Sequence, residues 1–352
     1  MRKFFIDNLR WICVLLVVPY HVFLCFNDYH YVYYVYSTPV KFFSTCNLLC
    51  DLWFMPLLFF VSGISTTYGL QKRTTRQYLL ERTTKLLIPF VSGVLLLVPI
   101  LAYYARKYYD GYSGDLLDQY IHFFANWGVG SKGVSPYEVG QMWFLLYLLV
   151  ISVAGLPFIT LCQGPCRRLH MASWPLWVVV LLWVPLWGVR GLVPSHPQSL
   201  TGSFALFLLG GLFFANDQLQ EKLARHVWVL FTLFATCSFI RVGMAPDLPP
   251  PWWSNPLEAL IMWTGVLSLM GLGRRFLNFS NPVTAYFSAS SFSVYIFHQS
   301  WLVAIAYFVI RTIAHPWLQA LAIVATCLAL SFATYELCRR MALTRFIFGI
   351  RR

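Results

Sequence analysis

Ten apolar runs, at 11–26, 48–70, 86–104, 142–161, 175–190, 201–215, 227–243, 256–272, 284–310 and 316–338, are each long enough, or nearly so, to cross a bilayer. Inside hydrocarbon a backbone N–H or C=O finds no water, so a spanning segment must be a helix or part of a closed barrel. Runs of about 20 apolar residues read as helices. The expected fold is therefore all-α, a polytopic membrane helical bundle of about ten transmembrane helices. It occupies 1–352 as one membrane-embedded domain, with no soluble domain. Pro19, Pro185 and Pro282 fall in or beside these runs and soften their boundaries. Charged residues make up only 11% of the chain, where a soluble protein carries roughly 25%.

The formal charge of +13 invites a nucleic-acid reading, but the positions of the cations argue against it. Alternate loops together with both termini hold 19 of the 26 Lys and Arg residues. The opposite side holds 7, namely Lys41, Arg106, Lys107, Lys132, Arg190, Arg241 and Arg311. Cytoplasmic loops carry the excess of Lys and Arg, so both termini are expected in the cytoplasm. The basic balance is an orientation signal, and no nucleic-acid partner is expected. Basic residues precede the first apolar run, as in a signal peptide. The run lacks a small-residue cleavage site and carries aromatic residues and His21, so it reads as a retained helix.

On that first helix Arg10 precedes His21 by eleven residues. Eleven steps of ~100° make about three turns and rise about 16 Å. The two side chains therefore share a face, Arg10 at the membrane edge and His21 near the middle of the apolar layer. An ionisable group at that depth is expensive and faces a cavity or a partner. A histidine hydrogen-bonded into a bundle is the plain alternative. Further features add to the pair. Met55-Pro-Leu-Leu-Phe-Phe-Val-Ser62-Gly63 ends in two small residues that admit a neighbouring helix or an acyl chain. The loop with Lys72, Arg73, Arg76, Arg82 and Lys85, closed by Pro89, groups five cations. These can draw phosphates or simply anchor the membrane face. Gln141-Met-Trp143-Phe-Leu opens one helix. Ser288 to Gln299 puts His298 on a serine-rich helix that can line a polar path.

Two outer stretches, 29–36 and 105–141, are rich in tyrosine. The second also holds Trp127 and the acids Asp110, Asp115, Asp118 and Glu138. Both suit sugar stacking and equally an interfacial aromatic belt. The segment from Pro246 to Trp253 reads as a stiff outer turn, and the arginines from Arg339 to Arg352 as anchoring charge. Cys46 and Cys50 are poorly spaced for a disulfide. Cys162, Cys166 and His170 have ligand-like spacing, but three such residues at a helix end are commonly incidental, and no metal is expected.

Taken in order, these residues resemble the acyltransferase 3 family of integral-membrane enzymes that modify extracytoplasmic glycans. The resemblance spans nearly the whole chain. Arg10 and His21 match its arginine, ten residues, histidine pattern, and Met55 to Gly63 its Met-Pro-Leu-Phe-Phe-x-x-Ser-Gly segment. Arg82 to Pro89 match Arg-x-x-Arg followed by Leu-x-x-Pro, while Trp143-Phe-Leu and Tyr295-Ile-Phe-His298 match two more signatures. The ending, Tyr335 to Arg345 and beyond, is similar to the branch that succinylates periplasmic glucans. Two positions depart from the pattern. Lys85 stands for the second arginine, keeping charge without the bidentate fork. Gln141 stands where a histidine is common, which removes acid–base work there. The chain also ends soon after the tenth helix, without the esterase-like domain of some relatives.

The resemblance implies a multi-pass acyltransferase of the inner (cytoplasmic) membrane. An acetyl or succinyl group would pass from acyl-coenzyme A, a co-substrate rather than a cofactor, to a glycan hydroxyl on the other side. His21 would be base or acyl carrier, with Arg10 on the donor and Asp7 orienting Arg10. Arg73, Arg76, Arg82 and Lys85 would hold the nucleotide phosphates. His298, Ser62 and Trp143 would lie on an acceptor or proton path. A transporter or flippase of glycan or acyl groups uses midmembrane ionisable residues as well. A sensor has less need of a histidine at that depth.

Overall fold

The computed structural model describes residues 3–29, 32–135, 137–168, 171–192, 199–244 and 254–350, with the backbone alone for 163–168 and 254–255. His30, His170, the 246–253 turn, Arg351 and Arg352 lie outside the described residues, as does the side chain of Cys166. Among the described residues every regular element is helical. The order begins α1 (Phe4–Leu24), α2 (Lys41–Leu70), α3 (Thr75–Arg82), α4 (Ile88–Leu96), α5 (Val98–Tyr109), α6 (Leu116–Ala125) and α7 (Trp143–Arg168). It continues with α8 (Leu176–Leu181), α9 (Trp183–Arg190), α10 (Leu200–Leu209), α11 (Asp217–Arg225) and α12 (Val227–Gly243). The last four are α13 (Ser254–Phe276), α14 (Pro282–Thr312), α15 (Pro316–Cys338) and α16 (Ala342–Ile347). Wide π turns at Thr83–Leu87 and Gly210–Phe214 extend α3 and α10.

All ten apolar runs are helical, but fewer qualify as full spans. Seven segments are long and apolar enough: Phe4–Leu24, Lys41–Leu70, Thr75–Tyr109, Gly140–Cys162, Pro256–Phe276, Pro282–Thr312 and Pro316–Cys338. An eighth is counted if Leu200–Phe214 and Asp217–Arg225, bent by 102°, form one broken span. That bend has a local cause. Asn216 is extended, and its side chain accepts from the N–H groups of Gln218 and Leu219, starting α11 afresh. Leu176–Arg190 and Val227–Gly243 are shorter apolar helices. Prolines open several segments: Pro89 and Pro99 sit in the first turns of α4 and α5, where their missing N–H costs nothing.

The chain forms two compact units that interleave in sequence. The first takes in Met1–Cys13, Leu48–Arg82 and Tyr147–Ala285. Its centre is a crossing of α2 with α10 at backbone contact. A Cβ on Gly63 would land on the carbonyl oxygen of Phe207, and one on Gly210 on that of Phe60. Thr67 Oγ1 donates to the Gly211 carbonyl (2.6 Å) at the same crossing. Small residues let two helices approach this closely, with packing and hydrogen bonds in place of the hydrophobic effect. Phe60, Phe214 and Trp263 pack edge-on beside it at 4.9, 5.6 and 5.7 Å between ring centroids. The Trp263 indole donates to the Val179 carbonyl (2.9 Å). Of the two partners read for Ser62-Gly63, a neighbouring helix is the one observed.

The second unit takes in Val14–Asn47, Thr83–Leu146 and Tyr286–Arg352. Its C-terminal turn is tied back to α4, where Ser92 Oγ donates to the Ile347 carbonyl (2.5 Å). Phe348 packs on Phe297 of α14 at 4.7 Å. The 25–40 stretch is not a loose loop. The Ser37 and Val40 N–H groups donate to the carbonyls of Cys25 (2.7 Å) and Phe26 (2.9 Å). Three phenols then donate to backbone carbonyls: Tyr36 to Asn27 (2.6 Å), Tyr108 to Tyr36 (2.6 Å) and Tyr109 to Tyr33 (2.7 Å). Burial first, then Asp28 and Tyr108, raises the pKa of Tyr36 above the usual phenol value, which keeps it a donor.

The helix crossing sets a firm expectation. Gly63→Val should lower stability by about 1–3 kcal/mol, the usual cost of overpacking, because a backbone carbonyl cannot swing aside as a side chain can. Thermal unfolding of the purified protein in detergent measures it, and an unchanged transition temperature would contradict the crossing.

Candidate active site

In the first unit a short stretch of α2 gathers two of the sequence-predicted cations. Arg10 Nη2 donates to Ser65 Oγ and, at 3.5 Å, to the Val61 carbonyl. Its Nη1 lies 3.5 Å from the Asp7 carboxylate, so Asp7 does sit where it can orient Arg10. On the next residue of α2, Thr66 Oγ1 accepts from Arg82 Nη2 (3.1 Å) and is bonded to the Tyr78 hydroxyl (2.8 Å). Arg82 Nε donates to that same Tyr78 oxygen (2.9 Å). Ser62 is buried, and its carbonyl accepts from Thr66 Oγ1 (3.0 Å). The guanidiniums of Arg10 and Arg82 are thus held by adjacent hydroxyls one turn after Ser62. A hydroxyl fixes a guanidinium in place without neutralising it, although Arg10 also has Asp7 beside it.

The rest of the basic loop is more scattered. Arg73 pairs with Glu81 at 3.1 Å, both ends about 40% exposed; such a pair is worth little in water. Arg76 is exposed. Lys85 lies in the π turn after Arg82 and belongs to the second unit.

His21 and His298 come together in the second unit. Their ring centroids are 5.3 Å apart and tilted by 33°. His21 is half-buried on α1; its Nδ1 lies 3.4 Å from the Tyr33 hydroxyl, with the two rings stacked. Tyr33 is only 4% exposed. This residue of the 29–36 stretch therefore points inward, where neither sugar platform nor interfacial belt put it. His298 is fully buried, its Nδ1 held by the Tyr295 carbonyl at 2.7 Å. Gln299 Nε2 donates to the Tyr33 hydroxyl (3.2 Å). Gln141 Nε2 donates to the Ile296 carbonyl (2.8 Å), and its own carbonyl accepts from the Tyr295 hydroxyl. Trp143 begins α7, half-exposed and packed edge-on to Phe144.

The same unit holds a residue that sequence reading set among general loop acids. Glu138 is 8% exposed. Its Oε1 accepts from the Tyr34 hydroxyl (2.8 Å) and the Gly140 N–H (2.6 Å), and its Oε2 from the Ser135 N–H (3.0 Å). Gly140 has φ +49°, a left-handed bend that glycine adopts freely. The carboxylate therefore fixes the turn that leads into Gln141 and ties it to the residue after Tyr33. A lone Glu two places before a glycine was the available signal. Among the described residues no group of His, Cys, Asp and Glu is arranged to hold a metal ion.

Comparison with known proteins covers almost the whole chain. A family model described as an acyltransferase domain matches residues 3–336. The chain is 23% identical, over 390 aligned positions, to glucans biosynthesis protein C of Escherichia coli O157:H7 (strain EC4115). That alignment covers 99% of this chain and 94% of the relative. Glucans biosynthesis protein C of Shigella dysenteriae serotype 1 (strain Sd197) gives the same identity and coverage. No solved structure matches.

Replacing Glu138 by Gln should loosen the turn without unfolding the protein, since charge-assisted hydrogen bonds are worth about 1.5–3 kcal/mol each. Amide hydrogen exchange should quicken at Ser135 and Gly140 and stay unchanged in α14. Equal protection in the variant would refute the role given to this carboxylate.

Proposed function

We propose, from the premise that the chain belongs to the acyltransferase 3 family, that it moves an acyl group from acyl-coenzyme A to a glycan hydroxyl, with His21 at the reacting centre. It is a multi-pass membrane acyltransferase. The reading extends this to a donor taken from the cytoplasm, an acceptor on the far side of the inner membrane, and both termini in the cytoplasm. The cation bias supports that orientation. The relatives' printed name favours a glucan as acceptor.

The observation that carries the proposal is His21 itself. It is half-buried on a membrane-length helix, next to a second histidine and a phenol, and matches the family's histidine position. Its chemistry follows from neutral imidazole. The acceptor hydroxyl oxygen attacks the thioester carbonyl carbon while its proton passes to His21. The carbon–sulfur bond then breaks, and the imidazolium returns the proton to the departing coenzyme A thiolate. Alternatively His21 first accepts the acyl group and the hydroxyl then displaces it; both routes give ester and free thiol.

Arg10 and Arg82, each fixed by a hydroxyl of α2 and each still charged, suit the donor's phosphates. Arg73, Arg76 and Lys85 would add looser attraction from the same loop. Ser62 lies behind the Arg82 site, and Trp143 at the head of α7 would flank the acceptor.

His21→Ala should leave the protein folded and inserted yet abolish release of coenzyme A in the presence of acceptor sugar. Normal release by that variant would sink the reading. Arg82→Gln should raise KM for acyl-coenzyme A by about 10-fold, the equivalent of one charge-assisted contact, with kcat less affected. Initial-rate kinetics over a range of donor concentration separates the two constants. Transport of acyl groups or glycan without chemistry would appear as substrate movement with no thiol released.

A further inference from the structure

Beside His21 the second unit carries an uneven distribution of buried hydrogen-bonding atoms. Three of them, Gln141 Oε1, His298 Nε2 and Gln299 Oε1, have no partner among the described residues. All three side chains are at least 97% buried. An orphan of this kind costs about 1–3 kcal/mol and calls for an explanation. These three lie on or against one stretch of α14, where His298 packs against His21 and Gln299 bonds the Tyr33 hydroxyl that faces His21.

Their chemistry is one-sided. The Tyr295 carbonyl can only accept, so the neutral His298 ring spends its hydrogen on Nδ1 and Nε2 is a bare acceptor. The Ile296 carbonyl likewise consumes the Gln141 amide N–H, which leaves Oε1 as acceptor. Gln299 directs its amide nitrogen to Tyr33, which leaves its oxygen. Three acceptors carried on or against one stretch of α14 can be satisfied only by donors. A carboxylate or phosphate would meet three lone pairs and be repelled, whereas neighbouring neutral hydroxyls supply what each lacks.

We infer that Gln141, His298 and Gln299 form the hydroxyl-binding subsite of this unit, made for an uncharged polyol such as a hexose ring and closed to anionic sugars. The inference rests on the acyltransferase reading for its purpose, since a hydroxyl held there lies beside His21. It gives Gln141 a binding part in place of the acid–base work a histidine would do.

The test uses the full chain in detergent and two probes, a neutral glucose disaccharide and a disaccharide of glucuronic acid. The neutral probe should raise the unfolding temperature of the wild type, and the uronate should not. Gln141→Met and Gln299→Met should abolish that shift, with the unliganded transition moved only by the loss of one bond, to the Ile296 carbonyl or the Tyr33 hydroxyl. In turnover both variants should raise acceptor KM about 10-fold or more, the worth of one lost buried hydrogen bond, with donor KM unchanged. Retention of the shift in both variants overturns the subsite. An equal shift with the uronate overturns the neutral-polyol assignment. If instead sugar binding behaves as stated but His21→Ala still releases thiol, the subsite stands and the acyltransfer role of His21 falls.

Discussion

Polar groups inside an apolar layer must find their partners within the protein, and most of what is particular to this chain answers that demand. It selects helices for every spanning run. It also governs the side chains the helices carry. Along α2 the hydroxyls of Ser65 and Thr66 bond back to the carbonyls one turn before them, and the same hydroxyls receive Arg10 and Arg82. On α14 the carbonyls of Tyr295, Ile296 and His298 accept from a ring nitrogen, an amide and a thiol. Where satisfaction is this thorough, the few atoms left over stand out.

The same constraint explains why chemistry and packing share residues. Gly63 serves the approach of two backbones, and the hydroxyls within a turn of it serve two guanidiniums. A side chain at Gly63 would separate α2 from α10 and so disturb Thr67, which bonds across the crossing. Small residues and hydroxyls that form one run in the sequence thus form one mechanical element in the fold.

Much of this was legible beforehand, and the reasons for the rest are physical. Apolar runs of this length report helices directly, because a barrel strand is about half as long, so all ten runs are helical although seven or eight qualify as spans. Their lengths were less legible. Pro185 follows the break between α8 and α9, and Asn216 restarts α11 at a sharp angle, outcomes that hydropathy averages away. Helical arithmetic put Arg10 and His21 on one face of α1, but it is silent about partners from other helices. His298 reads as a histidine at depth, part of a signature and a member of an acceptor or proton path, but its pairing with His21 is a tertiary fact. Tyr33 shows the limit most clearly. In sequence it is one of five tyrosines in an outer stretch, and what turns it inward is Tyr109, 76 positions later, holding its carbonyl. Gln141 reads only as a departure that removes acid–base work, and Gln299 only as the end of a serine-rich segment, because an amide becomes informative when its own bonds and its orphan oxygen are both visible.

The phenolic ties on the 25–40 stretch have a consequence for how such a surface can diversify. Tyr36, Tyr108 and Tyr109 grip backbone carbonyls, a feature every residue type possesses, and two of the three grips come from α5. The path of the stretch is therefore fixed jointly, by Ser37, Val40 and Tyr36 from within and by two grips from α5. Tyr33, Tyr34, Tyr36 and Ser37 are bound by their own side-chain bonds, so change is cheapest at the exposed positions, where the backbone ties hold the curve whatever side chain it carries. A segment held in that manner behaves as an interchangeable rim, able to acquire contacts to different partners without relearning its shape.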